Sequence, residues 1–552
     1  MNRLPSLLAI AALVAATAGL VALLPADGFF SGDAGAKLLQ AEAFAGCDAP
    51  PCEIPWPGRS LDPARALRPS YTAPGREGLV SLFPYLYPAA AAPLVPVLGG
   101  GRALRAVSAI AALLAALVAG SLAAGRGRSG VAAGAAVLAA TPLAFHAASV
   151  WEHAPATLMV LAAVALVVRG GRDGLAGLAL GLAFWLRTES LVYGAALALG
   201  LAVTERGVRR WLPLGAGSAA GLLLGAAGQR LLLGTAVPLH LAANPSAAAG
   251  IGPGALAARL RGLAELFAPD PVTGAAAAAM LGAIGVALWR RSRRAALLSG
   301  VVALAAALTA SFVAPAVRVA LGSGLAASFP LRSIPGVWMF AAALPLVTLA
   351  PAGDAASHRA DRLVAVTAAV PLAAFWLLSP LPGGYQWGGR YFLPSAVLLA
   401  VLAWRAAGRP ALRADRPARA LVGVAFAGSV IVELLGLALL WHVASGNASL
   451  AREVLARTHD DRPVICATRW LPEVLAPTWE TRTILRVDRP EQAPVLARGI
   501  ARDGVREWDL FAVEEDAVGG VLDALPCEPV FRESFVAPGR ATRHEVRRCT
   551  NR

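Results

Sequence analysis

The chain has 552 residues, 57% of them hydrophobic and 15% charged, with a mean hydropathy of +0.62. A soluble domain is nearer about 45–50% apolar, so this composition excludes an ordinary water-soluble enzyme and points to a membrane protein. The formal charge is +15, carried almost wholly by arginine, with Lys37 the only lysine. These arginines fall as short scattered clusters rather than with aromatics on one surface, which argues against a nucleic-acid partner.

A spanning helix needs about 20 apolar residues, down to about 17. In chain order the sequence predicts thirteen, at 4–24, 103–124, 131–149, 153–168, 174–187, 190–204, 212–233, 274–289, 295–313, 336–352, 363–379, 391–404 and 420–442. The pair at 174–187 and 190–204 is short, as tilted or broken spans are. The first run is longer than the apolar core of a signal peptide, about 7–15 residues, so it reads as an uncleaved anchor. Counted alternately, "GRGRS", "RGGRDG", "ERGVRR", "RRSRR", "SHRADR" and "RAAGRPALRADRPAR" all fall on the side of Arg3. By the positive-inside rule this places the N-terminus in the cytoplasm and residues after 443 outside.

The expected organisation is therefore a transmembrane domain, 1–442, with a large first outer loop, 25–102, and an extracytoplasmic α/β domain, 443–552. The stretch "REGLVSLFPYLYPAAAAPLVPVLG" (76–99) reads as re-entrant or interfacial helices, and "ALAARLRGLAELF" as an amphipathic piece of a second outer loop, 234–273. The tail alternates helix-like and strand-like stretches, with strands at "PVICAT", "TRTILRV", "WDLFAVEE", "PVFRESFV" and "RHEVRRC". It carries no glycine-rich phosphate loop and no nucleophile elbow, so a structural or docking role is expected of it. No internal repeat is visible, which weighs against inverted-repeat transporters. Cys47 and Cys52 can close a tight loop, and of the five cysteines one is left over. An oxidising compartment suits disulfides, and without a CxxC pair zinc ligation by cysteine is not expected.

The polar residues that composition does not explain fall at the outer ends of the spans. "SGDAGAKLLQAEAF" (31–44) reads as a short helix with Asp33, Lys37 and Gln40 on one face. Asp33 either caps that helix or is a carboxylate held for chemistry, and Lys37, one turn on, would lower its pKa. In "SVWEHAP" (149–155), Glu152 and His153 open the next helix. Glu152 either complements the helix N-terminus or is functional, and Trp151 reads as an interfacial anchor. "AFWLRTESLVYG" sets Arg187 and Glu189 between two apolar helices. Two residues apart, they would not face each other on a helix, so each is expected to have its own partner, and charge at that depth is functional by default. "PLPGGYQWGGRYFLP" (380–394) offers Tyr385, Gln386, Trp387, Arg390 and Tyr391, aromatic faces for a sugar and a guanidinium for a phosphate. Arg318 and Arg332 are weaker candidates of that kind.

These stretches together resemble the GT-C superfamily of integral-membrane glycosyltransferases, which includes protein O-mannosyltransferases and the aminoarabinose transferase of lipid A. The resemblance rests on an acidic residue on a short helix in the first outer loop (Asp33), on the outer turn with Glu152 and His153, on "GLALGLAFWLRTE", similar to a segment ending Arg-Pro-Glu, and on "WGGRYFLP", similar to a late Gly-Arg-Tyr-Leu-Pro segment. It covers about residues 1–405. It implies a polyprenyl-phosphate sugar donor, inversion at the anomeric carbon, and catalysis centred on Asp33. The chain departs from the pattern where Asp33 is followed by alanine rather than a second acid, with Asp27 six residues away, and where Thr188 replaces proline.

The expectation is a bacterial plasma-membrane enzyme that moves a sugar from a polyprenyl-phosphate carrier to a glycan, lipid or protein acceptor on the outer face. Asp33 would be the base. Lys37, Arg187, Glu189, Tyr385, Trp387, Arg390 and Tyr391 would line the donor phosphate and sugar site, with Arg187 and Arg390 on the phosphate. Glu152 and His153 would orient the acceptor or bind a cation. No cofactor is implied beyond a divalent cation, which stays open. The rivals are a flippase of lipid-linked glycans, favoured by Glu433 inside the last span, and a non-catalytic envelope scaffold.

Overall fold

The computed structural model describes residues 4–124, 128–204, 208–239, 241, 257, 271–290, 292–320, 355–378, 390–409, 415–513, 524–525, 527–537 and 543–550. The predicted segments 255–267 and 336–352 and the residues Arg332, Tyr385, Gln386 and Trp387 lie outside these, apart from residue 257, as does the side chain of Arg318.

Buried backbone in lipid must bond within its own segment, and the Ala/Leu/Gly runs do so as helices. They are α1 (Leu4–Ala22), α2 (Asp33–Ala45), α3 (Leu86–Ala91), α4 (Val95–Leu98), α5 (Gly100–Ala124), α6 (Arg128–Ala140), α7 (Leu143–Ala148), α8 (His153–Arg169), α9 (Asp173–Phe184), α10 (Ser190–Thr204), α11 (Trp211–Leu233), α12 (Pro271–Arg290), α13 (Arg293–Leu308), α14 (Ala314–Ala320), α15 (Ala355–Leu378), α16 (Leu393–Gly408) and α17 (Arg416–Arg457). Among the described residues, five helices are long and apolar enough to cross a membrane: Gly100–Ala124, Trp211–Leu233, Arg294–Val313, Arg390–Gly408 and Arg416–Arg457. Several of the others are shorter apolar helices. The expected run 131–149 is broken, because Pro142 has no amide to continue α6 and starts α7 instead.

Glycine lets these helices touch backbone to backbone, as membrane helices favour. A Cβ on Gly120 of α5 would stand 2.0 Å from the Gly130 carbonyl oxygen of α6. Gly177 and Gly181 of α9 meet Leu214 and Ser218 of α11 in the same way. The bundle helices enclose one apolar core.

A second core lies beyond it and is shared by two parts of the chain far apart in sequence. Phe29, Leu38, Ile54, Trp56 and Leu67 pack with Val464, Ile465, Trp479, Leu485 and Phe511. The first group belongs to the segment 25–102, where β1 (Thr72–Pro74) pairs antiparallel with β2 (Leu79–Ser81). The second belongs to a mixed sheet of β3 (Val464–Cys466), β4 (Ile484–Arg486), β5 (Glu507–Val513), β6 (Glu528–Val536) and β7 (Arg543–Thr550), in the order β4-β3-β5-β7-β6. β3 runs parallel to both β4 and β5, while β7 pairs antiparallel with β5 and β6. Between strands lie α18 (Leu471–Val474) and α19 (Ala493–Asp503).

The boundary expected at 442/443 falls inside α17, which runs unbroken to Arg457 and carries the chain from the bundle into the sheet layer. Asn447 and Leu450 on that stretch are buried, so the helix is held by packing past the point where its apolar run ends. Cys47–Cys52 and Cys527–Cys549 are disulfides, and Cys466 is free and buried.

Candidate active site

Helix α2 begins at Asp33, with Gly32 as its N-cap and no side-chain cap bond. Asp33 therefore does not cap the helix. Its Oδ1 accepts from the Ser31 hydroxyl and, at 3.3 Å, from Trp151 Nε1, and Lys37 Nζ stands 3.3 Å from Oδ2. Trp151 is no interfacial anchor: it is 1% exposed and its indole edge is spent on Asp33 and Ser31.

Lys37 is fully buried and turns from Asp33 to Glu152, with Nζ 2.6 Å from Oε2. Its ammonium also lies over the Phe83 ring, 4.5 Å from the centroid. The other oxygen of Glu152 takes Arg187 Nη1 at 2.7 Å. Arg187 Nε in turn donates to Glu189 Oε1 at 2.6 Å. The result is a ladder of alternating charge, Asp33–Lys37–Glu152–Arg187–Glu189, drawn from three separate stretches of chain.

One expectation is corrected by this geometry. Arg187 and Glu189 pair with each other after all, because α9 ends at Phe184 and the two sit in the turn before α10, where helical spacing does not apply. Glu152, expected to orient the acceptor or bind a cation, is 0% exposed, sits at the N-cap of α8 without a cap bond, and has both oxygens on cations. His153 is buried beside it, stacked on His146 with ring centroids 4.8 Å apart, and neither of its ring nitrogens has a hydrogen-bond partner among the described residues. Arg187, expected on the donor phosphate, has its charge matched by two carboxylates and rests on the Tyr391 ring at 5.5 Å.

Arg390 is the remaining cation of the set. It opens the turn Arg390–Phe392 that leads into α16, lies 5.1 Å over the Tyr391 ring and donates to the Tyr391 hydroxyl at 3.3 Å. Tyr193 holds that turn by donating to the Tyr391 carbonyl at 2.9 Å. Arg390 Nε has no partner among the described residues.

The electrostatics keep both acids ionised. Burial alone would push the Asp33 carboxyl up, but Lys37, Arg390 and the Ser31 hydroxyl hold it below its ordinary value. Burial opposes the charge on Glu152 as well, and Lys37 and Arg187 outweigh it, holding it well below the usual carboxylate range. Among the described residues, no group of three or more His, Cys, Asp or Glu stands together to hold a metal ion.

The sequence does not single out Ser31, Tyr71, Phe83 or Glu473, and it assigns Trp151 another role. Ser31 lies two residues before Asp33 in sequence. Nothing local marks the other three, since they reach the site through pairing of distant segments. The Tyr71 phenol keeps its proton, pushed up by burial and by the charges of Asp33 and Glu473.

No protein-family model and no curated protein matches this sequence. Among solved structures, the chain is similar to ArnT from Cupriavidus metallidurans bound to undecaprenyl phosphate, with a TM-score of 0.50 and 15% identity over 98% of this chain and 97% of that one. Looser likenesses are to apo ArnT of the same organism (TM-score 0.44, 16% identity, 98% and 97% covered) and to the apo oligosaccharyltransferase of Archaeoglobus fulgidus (0.46, 12%, 92% and 69%). The likeness to ArnT covers nearly the whole of both chains and shows a shared fold: this protein has the overall fold of that membrane protein.

Proposed function

We propose that the protein is a glycosyltransferase that takes a sugar from a polyprenyl-phosphate carrier and attaches it to a hydroxyl of a glycan, lipid or protein acceptor. The observation that carries this is Asp33. It is a buried, ionised carboxylate with no capping role, on a short helix beside the bundle. Its Oδ1 is taken by Ser31 and Trp151, whereas Oδ2 meets only Lys37, at 3.3 Å, among the described residues. A lone pair is thus left on Oδ2 for an incoming O–H. The full-length likeness to a protein that holds undecaprenyl phosphate supports the donor class.

In this reading the acceptor oxygen attacks the anomeric carbon as the bond to the carrier phosphate breaks. The proton passes to Asp33 Oδ2, and the electron pair leaves with the polyprenyl phosphate. Arg390, with donor capacity to spare, neutralises the departing phosphate. Glu152 does not touch substrate. It fixes Lys37 and Arg187, and through them Asp33 and the Tyr391 turn. A carboxylate held this low is a weak base, so proton transfer comes late, as the hydroxyl acidifies in the transition state. The arginine-rich loops argue that the reaction runs on the non-cytoplasmic face of the plasma membrane.

The test is turnover of polyprenyl-phosphate-linked sugars by the purified protein in lipid nanodiscs, read as release of polyprenyl phosphate. Asp33→Asn should stay folded and lose on the order of 10²–10⁴ in turnover. A folded, fully active Asp33→Asn protein would remove Asp33 as the base.

A further inference from the structure

The first turn of α2 and the chain that leads into it are notched with glycine on the side that faces the C-terminal layer. A Cβ on Gly28 would stand 2.1 Å from the Ala444 carbonyl oxygen, and one on Gly35 would stand 2.0 Å from that of Glu473. A Cβ on Gly32 would pack at 3.4 Å on the Trp470 carbonyl oxygen and at 3.5 Å on Glu473 Cβ. Asn447 donates to the Phe29 carbonyl at 2.5 Å. The glycines on either side of Asp33 therefore admit the backbone of α17 and α18.

Glu473 connects this contact to the charge ladder by a second route. It is 0% exposed, and its Oε1 accepts the Tyr71 amide at 3.1 Å. Ser70, one residue earlier, donates to the Arg469 carbonyl at 2.9 Å and accepts from the Arg486 guanidinium. The Tyr71 ring packs on Phe83 with centroids 5.5 Å apart, and Phe83 is the ring under the Lys37 ammonium. A buried carboxyl costs free energy unless it is bonded, and a surface docking domain has no need of one here.

We propose that Glu473 is a positioning residue for the transfer reaction. The C-terminal layer clamps the first turn of α2 through the Glu473 main chain, and steadies Lys37 through the Glu473 side chain, Tyr71 and Phe83. The layer is part of the catalytic unit rather than an accessory to it. The catalytic half of this statement rests on the reading of Asp33 and Lys37 given above, whereas the clamp itself does not.

The experiment compares Glu473→Ala and Glu473→Gln in nanodiscs by hydrogen–deuterium exchange and by steady-state turnover. Gln keeps the acceptor oxygen and the volume, whereas Ala loses both. In Glu473→Ala, exchange over residues 33–45 and 70–83 should rise about tenfold while α5 and α8 stay protected, which reports local rather than global opening. The kcat should fall about tenfold, the worth of one lost hydrogen bond, with KM for the carrier-linked sugar within about twofold. Glu473→Gln should restore both. Unchanged protection of 33–45 in Glu473→Ala, or equal damage in the two variants, overturns the proposal. If Glu473→Ala does not fold, Glu473→Asp takes its place: it keeps the carboxyl but is too short for the Tyr71 amide, and wild-type exchange and kcat in it would overturn the clamp. If the wild-type protein turns over no carrier-linked sugar, the proposed function fails, and the exchange comparison still decides the clamp.

Discussion

Two clusters of paired charge sit at the two ends of α5, and they are built differently. Gly100, at one end, lies against Leu38 and Glu42 of α2, close to the ladder. At the other end the Leu122 carbonyl accepts from Arg405 Nη1 at 2.8 Å, and Arg405 and Arg409 both grip Asp361. At about 1.5 Å per residue the two clusters are roughly 30 Å apart. The Asp361 clamp lets its arginines reach solvent, at 23% and 12% exposed. It joins α15 to α16 with charges the arginine-rich loops already carry. In the ladder, Lys37 and Glu152 are each 1% exposed, and Lys37 and Arg187 hold Glu152 ionised. Taking two charges out of water costs more than their attraction returns unless every bond is good, and an apolar pair of the same size is often as stable or more so. The clamp is explained by tying helices together, but the ladder is explained only by what it holds ready.

That contrast is broken most directly at its centre. Glu152→Gln leaves Lys37 and Arg187 short of a buried partner, so stability should fall by about 3–5 kcal/mol, with turnover lost in whatever protein still folds. A thermal melt in nanodiscs beside the turnover assay measures both. A variant as stable and active as wild type would show that the ladder is no better than a surface pair.

Arg390, bound to the ladder only by its field, should matter for ligand and not for fold. Arg390→Ala should weaken binding of polyprenyl phosphate by about ten- to a hundredfold, the worth of a charge-assisted contact of about 1.5–3 kcal/mol. Arg390→Lys should recover part of it, since lysine lacks the planar fork. Direct titration of the carrier lipid checks this, and equal affinity in the alanine variant would send the phosphate elsewhere.

Glu473 sharpens the comparison, because it is a buried carboxyl held by a backbone amide rather than by a cation. Burial pushes it up to about 7, against which the Tyr71 amide works. Its native pKa is raised, so the native state holds the extra proton. Its stabilising contribution is whole below the unfolded value of about 4.3, and is lost as pH rises through about 7. Between pH 5 and 8 the wild-type melt should fall by the equivalent of about 2.5 kcal/mol more than that of Glu473→Gln. Parallel pH profiles in the two proteins would contradict it. Asp361→Asn should do least. It should cost about 1 kcal/mol, since both arginines can turn to water, with turnover per folded molecule unchanged.

The sequence by itself determined the material of the bundle and the order of the tail. Backbone in lipid has to bond within its own helix, so apolar length sufficed to place α5, α8, α11 and α17, and alternation sufficed to place β3 to β7. It also singled out Asp33, Lys37, Glu152, Arg187 and Arg390, because charge at the end of an apolar run is conspicuous. What it could not decide was which charge meets which. Periodicity encodes neighbours three and four residues away, and that rule gave the Asp33–Lys37 contact correctly. It failed for Arg187 and Glu189, which lie in a turn. It was silent on Lys37 and Glu152, which the packing of α2 and α8 on the shared helix α5 brings together. From the sequence Lys37 reads as a charge that tunes Asp33, but in the structure it fills a closed space between two carboxylates. The tail reads as a separate domain because its composition changes at 443. Only the tertiary structure shows α17 carrying it unbroken onto α2, where Gly28, Gly32 and Gly35 leave room for it, because the close approach of two backbones is a property of the pair and is written in neither segment alone.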